Sequence, residues 1–231
     1  NSNFKKYLNL SDRLTRINTP LMHMNLTNSQ KPIIMGILNI TKDSFHDGGR
    51  YFNPKSALDR AETLIKEGAD IIDVGGESTR PDASVIAPEE EIKRIKPIIK
   101  ELSKNNILIS CDTRNSLTMQ VALDLGTKII NDVSGLNYDP RTILILKKYK
   151  IPFVIQHCQG TPENMQNNPT YKNEVLDIYD FFEKKIKFLR LLGIKHNNII
   201  IDPGIGFGKN LKHNMNLISN ISIFHSLGFP I

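Results

Sequence analysis

The stretch IIDVGGESTRP, residues 71–81, decides how the rest of the chain is read. Ile71, Ile72 and Val74 suit a buried strand, yet the run carries Asp73 and closes on Gly75 and Gly76. A polar, basic segment follows, with Glu77, Ser78, Thr79 and Arg80. An apolar strand that ends in a carboxylate and then a glycine exit is built for a site at its C-terminal end. Parallel α/β proteins place their ligands there.

Working outward, the pattern repeats. Apolar runs of strand length occur at 33–40, 71–75, 107–113, 128–133, 152–158 and 198–204. Between them lie segments of helical period at about 54–67, 88–104, 115–125, 139–149, 173–192 and 211–227. Pro54 near the start of the first and Gly68 after its end follow the usual helix asymmetry. Glu89, Glu90 and Glu91 open the second, where negative charge complements the helix dipole. Phe229-Pro230-Ile231 reads as the start of a seventh strand. Six strand–helix units with apolar strands imply a parallel sheet covered by helices. Two architectures fit: an open doubly wound sheet, or a (β/α)8 barrel, which needs roughly 250 residues and eight strands.

Each strand carries a polar residue near the same end: Asn39, Asp73, Asp112, Asn131, Gln156 with His157, and Asp202. One such residue is ordinary turn chemistry. Six strands in a row point to a shared mouth whose acceptors suit a ligand rich in N–H groups. By strand alternation, His157 and Cys111 point away from that mouth and pack structurally. The other histidines (His23, His46, His196, His213, His225) read as loop or surface residues.

Composition sets outer bounds. The chain has 231 residues, 39% hydrophobic and 23% charged, enough for a globular core. The net charge of +6 is scattered rather than clustered, so no nucleic-acid partner is expected; a basic pocket for small anions explains it equally well. The frequent Asn, Lys and Ile read as compositional bias. Two cysteines, Cys111 and Cys158, form no disulfide framework, which fits a reducing, cytoplasmic setting. No apolar run reaches the roughly 18 residues of a membrane span. Residues 1–31 are basic and partly amphipathic, with Leu8, Leu10, Leu14 and Ile17, and read as a linker from a preceding domain or an organelle leader. Residues 32–231 read as the domain proper.

Familiar motifs fail. GIGFGK (204–209) lacks Walker spacing, because Lys209 stands where the second glycine belongs, and the dinucleotide fingerprint fails at the same residue. Its glycines instead let backbone approach a flat ligand. No G-x-S-x-G elbow is present.

Taken together, MGILNITKDSFHDGG (35–49), IIDVGGESTRP (71–81), CDT (111–113), INDVSG (130–135), HCQGTP (157–162) and IDPGIGFGK (201–209) resemble the dihydropteroate synthases. The resemblance runs from about Lys31 to Ile231. It implies a (β/α)8 barrel, here with about six units and the start of strand seven. It implies condensation of 6-hydroxymethyl-7,8-dihydropterin pyrophosphate with p-aminobenzoate to give 7,8-dihydropteroate and pyrophosphate. Mg²⁺ accompanies the pyrophosphate, and sulfonamides compete for the aminobenzoate site. Carried over by motif, Asp112, Asn131 and Asp202 form the pterin pocket, flanked by Val133, Gly206 and Phe207. Together with Arg80 they carry the catalysis. Asn39 helps hold Mg²⁺ and the pyrophosphate. Thr79, Arg80 and Pro81 close over pyrophosphate and aminobenzoate, Asp73 lies beneath them, and Asp43, Ser44 and Phe45 belong to a first mobile loop with Gly48 and Gly49.

The chain departs from the family at Cys158, where Met is usual, and at Lys42, where Pro is common. The family also has basic segments after strands seven and eight. The implied partners are small molecules, with a homodimer common in the family, and either a complementing C-terminal fragment or an upstream pyrophosphokinase domain. Two competing readings are a truncated, inactive or split remnant and a pterin-binding methyltransferase barrel. The aminobenzoate-type STRP loop opposes the second.

Overall fold

The structure, a computed structural model, describes residues 32–41, 53–78, 85–161 and 164–231, together with the backbone of four two-residue strands. Those strands pair antiparallel, Pro20–Leu21 with Met24–Asn25 and His46–Asp47 with Tyr51–Phe52. Lys42, Asp43, Ser44, Phe45, Gly48, Gly49, Thr79, Arg80 and Pro81 lie outside the described residues.

The main sheet contains β1 (Met35–Asn39), β2 (Ile71–Gly75), β3 (Ile109–Asp112), β4 (Ile129–Asp132), β5 (Phe153–Gln156) and β6 (Ile199–Asp202). All are parallel, and their order across the sheet is their order in the chain. That order decides between the two architectures. A doubly wound sheet reverses direction midway. Here every crossover steps the same way, and right-handed crossovers then place all helices on one face. The sheet is a wall of a barrel, six strands wide, with edges at β1 and β6. Beyond β6, Ile201 N–H donates to Pro230 O at 2.9 Å, a single bond of strand type.

The helices are α1 (Pro54–Lys66), α2 (Pro88–Lys104), α3 (Ser116–Asp124), α4 (Thr142–Tyr149), α5 (Glu174–Leu191) and α6 (Leu211–Ser219). The asparagines read as compositional bias turn out to start several of them. Asn53, Asn173 and Asn210 cap α1, α5 and α6 by accepting backbone N–H groups. The last helix is shorter than its periodicity predicts. Asn220 donates its side-chain amide to Asn216 O at 2.9 Å, and a 3₁₀ segment, Ile221–Leu227, follows. Asn220 N–H itself is shared between Asn216 O at 3.1 Å and Leu217 O at 3.2 Å, the tightening that marks a switch from α to 3₁₀ bonding.

Two separate apolar cores follow from strand alternation. Toward the helices point Leu38, Ile72, Val74, Ile109, Cys111, Ile130, Phe153, Ile155, Ile199 and Ile201, within the large core. On the inner face, Ile71, Ile129 and Val154 pack with Ile33, Met35, Leu108 and Ile200. These inner residues come from the N-terminal halves of the strands and make an apolar floor.

A buried polar frame braces the exit of β2. Arg114 pairs with Glu77 through two bonds of 2.9 and 3.2 Å, and its guanidinium lies 4.1 Å from the centre of the Tyr138 ring. Glu77 also accepts from Ile86 N–H at 3.3 Å, and Arg94 donates to Gly76 O at 2.9 Å. Glu91, fully buried, accepts from Thr118 and Asn115 at 2.6 and 2.8 Å. Removing one partner of a buried ion pair leaves an uncompensated charge. Arg114→Met is expected to lower the unfolding free energy by about 3 kcal/mol in urea denaturation. A loss below about 1 kcal/mol would show that the pair does not brace the fold.

Candidate functional site

Above the apolar floor, the same inner face turns polar. Register aligns Asn39 with Gly75, Gly75 with Asp112 and Asp112 with Asn131 across four neighbouring strands. Gln156 and Asp202 pair across the next two. Parallel partners share a face, and Asp73 lies two residues before Gly75. The six strand-end residues therefore converge on one side, whereas Cys111 and His157 face the other.

Gly75 makes room in this layer. A methyl group there would lie 3.1 Å from Asn39 Oδ1 and 3.5 Å from Asp112 Oδ2. Its absence lets the two oxygens approach from either side. One layer down, buried Asp73 accepts from Asn131 Nδ2 at 2.9 Å. Asp202 Oδ1 accepts from Gly204 N–H at 2.8 Å, which fixes that carboxylate to the turn after β6.

Several inner-face atoms are buried with no hydrogen-bond partner among the described residues: Asp73 Oδ1, Asn131 Oδ1 and Gln156 Nε2. Ser110 faces Asp73 across the pair of strands and helps hold its charge, though among the described residues its hydroxyl makes no hydrogen bond of good geometry. Each orphaned polar group costs about 1–3 kcal/mol.

The carboxylates resist ionisation together. Burial pushes Asp112 well above the usual carboxylate range, and Asp73 and Asp132 add repulsion. Burial also raises Asp73, partly offset by Ser110 and Asn131 and reinforced by Asp202. Asp202 is raised by burial and held back by Gly204 N–H and by the charge of Lys209. Among the described residues none of the three has an ion pair. Groups that donate N–H bonds would relieve this layer.

The other expected residues sit nearby. Val133 is buried directly after β4. Gly206, at φ +86, donates to Asn214 Oδ1 at 2.8 Å and accepts from Gln166 Nε2 at 2.7 Å. Phe207 N–H donates to Gly204 O at 3.0 Å, closing the turn. Cys158 is half-buried with Sγ 3.7 Å from Met165 Sδ, and burial raises its thiol. Two histidines read as loop or surface residues are partly exposed and also brace local structure. His196 stacks on Phe229 at 4.1 Å and bonds Gly228 O at 3.0 Å, and His213 completes the α6 capping box.

The residues 35–231 match the family described as pterin binding enzyme. The chain belongs to that family. The dihydropteroate synthase of Haemophilus influenzae is 40% identical over 201 residues, covering 87% of this chain and 73% of the relative. A dihydropteroate synthase structure from Yersinia pestis, with a sulfonamide drug complex, superposes with a TM-score of 0.82 at 37% identity, covering 90% of this chain and 74% of that one. The Xanthomonas albilineans enzyme in complex with 7,8-dihydropteroate gives 0.77 at 31% identity over 90% of this chain and 72% of that one. In Haloferax volcanii, 24% of a protein named probable bifunctional folylpolyglutamate synthase/dihydropteroate synthase is covered by 86% of this chain at 38% identity. The fused partner named there is a folylpolyglutamate synthase. By family the chain is a transferase of folate biosynthesis, a dihydropteroate synthase on a (β/α)8 barrel scaffold.

Sequence reading passed over Asp132, which faces outward behind the site. It is fully buried, accepts from Ser134 N–H and Oγ at 2.8 and 2.6 Å, and leaves Oδ2 without a partner among the described residues. Burial raises its pKa to about 6 despite the opposing Ser134 bonds and the charge of Lys185. A folded pKa above the unfolded one gives stability that is full below about pH 4 and lost as pH rises through about 6. Between pH 4 and 7.5, the stability difference between Asp132→Asn and the parent should shift toward the variant by on the order of 2 kcal/mol. Denaturation curves at the two pH values measure it, and a pH-independent difference would contradict the assignment.

Proposed function

We propose that this chain uses the inner polar layer to bind 6-hydroxymethyl-7,8-dihydropterin pyrophosphate and transfers its pterin-methyl group to the amine of p-aminobenzoate. The observation that carries the reading is the set of buried, partnerless atoms on one face. Asn131 spends its amide N–H on Asp73, so its Oδ1 is an acceptor. Gln156 Nε2 is a partnerless donor, and the carboxylates of Asp112 and Asp202, though outside that partnerless set, add acceptors beside it. A fused aminopyrimidinone offers the complement: an amino group and ring N–H donors along one edge, with a carbonyl beside them.

The pterin edge neutralises the mutual repulsion of Asp112, Asp73 and Asp202 by donating to them. Val133, Gly206 and Phe207 would flank the ring, with Cys158 alongside. The carbon–oxygen bond to pyrophosphate breaks first. The positive charge that develops on the pterin lies within reach of the same carboxylates, which stabilise it more strongly than the neutral ground state. The neutral aminobenzoate nitrogen then forms the new carbon–nitrogen bond and releases its proton. In this reading Thr79, Arg80 and Pro81 act on pyrophosphate and aminobenzoate.

Mg²⁺, if bound, would supply neutralisation of the leaving pyrophosphate. The donor chemistry of the layer fits it: Asn39 Oδ1 and Asp112 Oδ2 are hard oxygens on either side of Gly75, and Mg²⁺ typically takes one or two protein oxygens alongside water and phosphate. Among the described residues no group of three or more His, Cys, Asp or Glu side chains is gathered as a metal site. Asn39 would therefore share the ion with the substrate. Homodimerisation, a cytoplasmic location and fusion to a pyrophosphokinase domain remain parts of this proposal that rest on family resemblance. No helix among the described residues is long and apolar enough to cross a membrane.

Formation of 7,8-dihydropteroate from both substrates tests the activity. Asp112→Ala and Asp202→Ala should each weaken pterin binding by at least tenfold, the roughly 1.5–3 kcal/mol of a charge-assisted hydrogen bond, while keeping a cooperative melt. Unchanged affinity in either folded variant would remove the pocket assignment. Pterin binding without product would favour the remnant reading over the active enzyme.

A further inference from the structure

Lys209 closes the glycine-rich turn after β6 and is only 3% exposed. A buried ammonium is costly unless its protons are used. Lys209 Nζ lies 2.8 Å from Phe207 O, 3.2 Å from His157 O and 3.2 Å from His157 Nδ1. An ammonium has three donors and no acceptor, so His157 Nδ1 accepts and the imidazole carries its proton on Nε2. Burial, then the charge of Lys209, pushes His157 down to about 3, which keeps the ring neutral. The ring is further fixed by Phe181, edge-on at 4.9 Å, and by Tyr171 at 6.0 Å.

His157 is the first residue after β5, and Phe207 lies in the turn after β6. One side chain therefore staples the exits of two neighbouring strands. The turn needs such a staple. Gly204 has φ +70, and a methyl group there would sit 2.0 Å from His157 O. At Gly208, φ +62, the corresponding distance is 2.6 Å to Gln159 O. The turn is pressed against the β5 exit so closely that only glycine fits, and glycine brings the least backbone rigidity. Asp202 is tied into this turn through Gly204 N–H, and Phe207 belongs to it.

We infer that Lys209 is a positioning residue for pterin binding: its ammonium holds the 204–208 turn against the β5 exit and so orients Asp202 and Phe207. The inference rests on the pterin reading of the site. The charged and titratable groups that act on Lys209 are Asp202, Cys158 and His157, with Tyr171 beside them, its hydroxyl donating to Gly208 O at 2.7 Å. Burial lowers Lys209 to about 8, with Cys158 and Asp202 opposing, so at neutral pH it remains mostly an ammonium.

The test uses Lys209→Met, which keeps the stem and removes the charge, and Lys209→Gln, which keeps a neutral donor, in the full chain. Calorimetry with 6-hydroxymethyl-7,8-dihydropterin pyrophosphate is expected to show affinity at least tenfold weaker for Met and an intermediate loss for Gln. Amide hydrogen exchange should accelerate in 203–208 and 157–159 and stay unchanged in the helix-side core. Parental affinity and exchange in the folded variants would overturn the inference, as would failure of both variants to fold, which would make Lys209 a folding residue alone. Exchange needs no ligand. Absence of pterin binding in the parent would thus remove the functional reading while the staple was still judged by exchange.

Discussion

The structure depends on one constraint: each strand has two faces, and helices cover only one of them. Because every crossover steps in the same direction, the inner face receives no helix. It must fill itself. The N-terminal halves of the strands do so with Ile71, Ile129, Val154 and their neighbours. The C-terminal halves carry Asn39, Asp73, Asp112, Asn131, Gln156 and Asp202, polar groups that cannot satisfy one another fully. Three carboxylates and three amides would be a poor core. As the wall of a binding site, they are held open by the apolar floor below and the covered face behind.

The polar layer is supported from outside by buried charges of a different kind. Glu77, Arg114, Glu91 and Arg94 are paired or bonded almost throughout, and they grip the exit of β2. Lys209 performs the same service between β5 and β6. The contrast is informative. Glu77, Glu90, Arg94 and Arg114 meet oppositely charged partners, whereas among the described residues the inner-face carboxylates are hydrogen-bonded only by neutral groups. Desolvation is costly for both, and only the inner set is left for a ligand to offset.

Much of this was legible in the sequence. Strand alternation alone separates Asp112 from Cys111, and the repeated polar residue at one strand end marks the mouth. What alternation could not provide was strand order, and without it the doubly wound sheet and the barrel stayed equivalent. Pairs distant in sequence, such as Glu77 with Arg114, leave no local pattern. Lys209 read as the residue that spoils a phosphate-loop spacing, because its role lies in His157, 52 positions away. Asp132 was passed over beside Asn131, although one residue of alternation places it on the opposite face. The early end of α6 is a change from α to 3₁₀ bonding at Asn220, which a periodic apolar pattern does not sense.

The central claim is that the partnerless inner-face atoms are the partners of a pterin ring. Calorimetric titration of the intact chain and of Asn131→Leu with 6-hydroxymethyl-7,8-dihydropterin pyrophosphate tests it most directly. One-to-one binding by the parent, weakened at least tenfold in a variant that still melts cooperatively, is the predicted result. Equal affinity in both chains, or no binding by the folded parent, would contradict it.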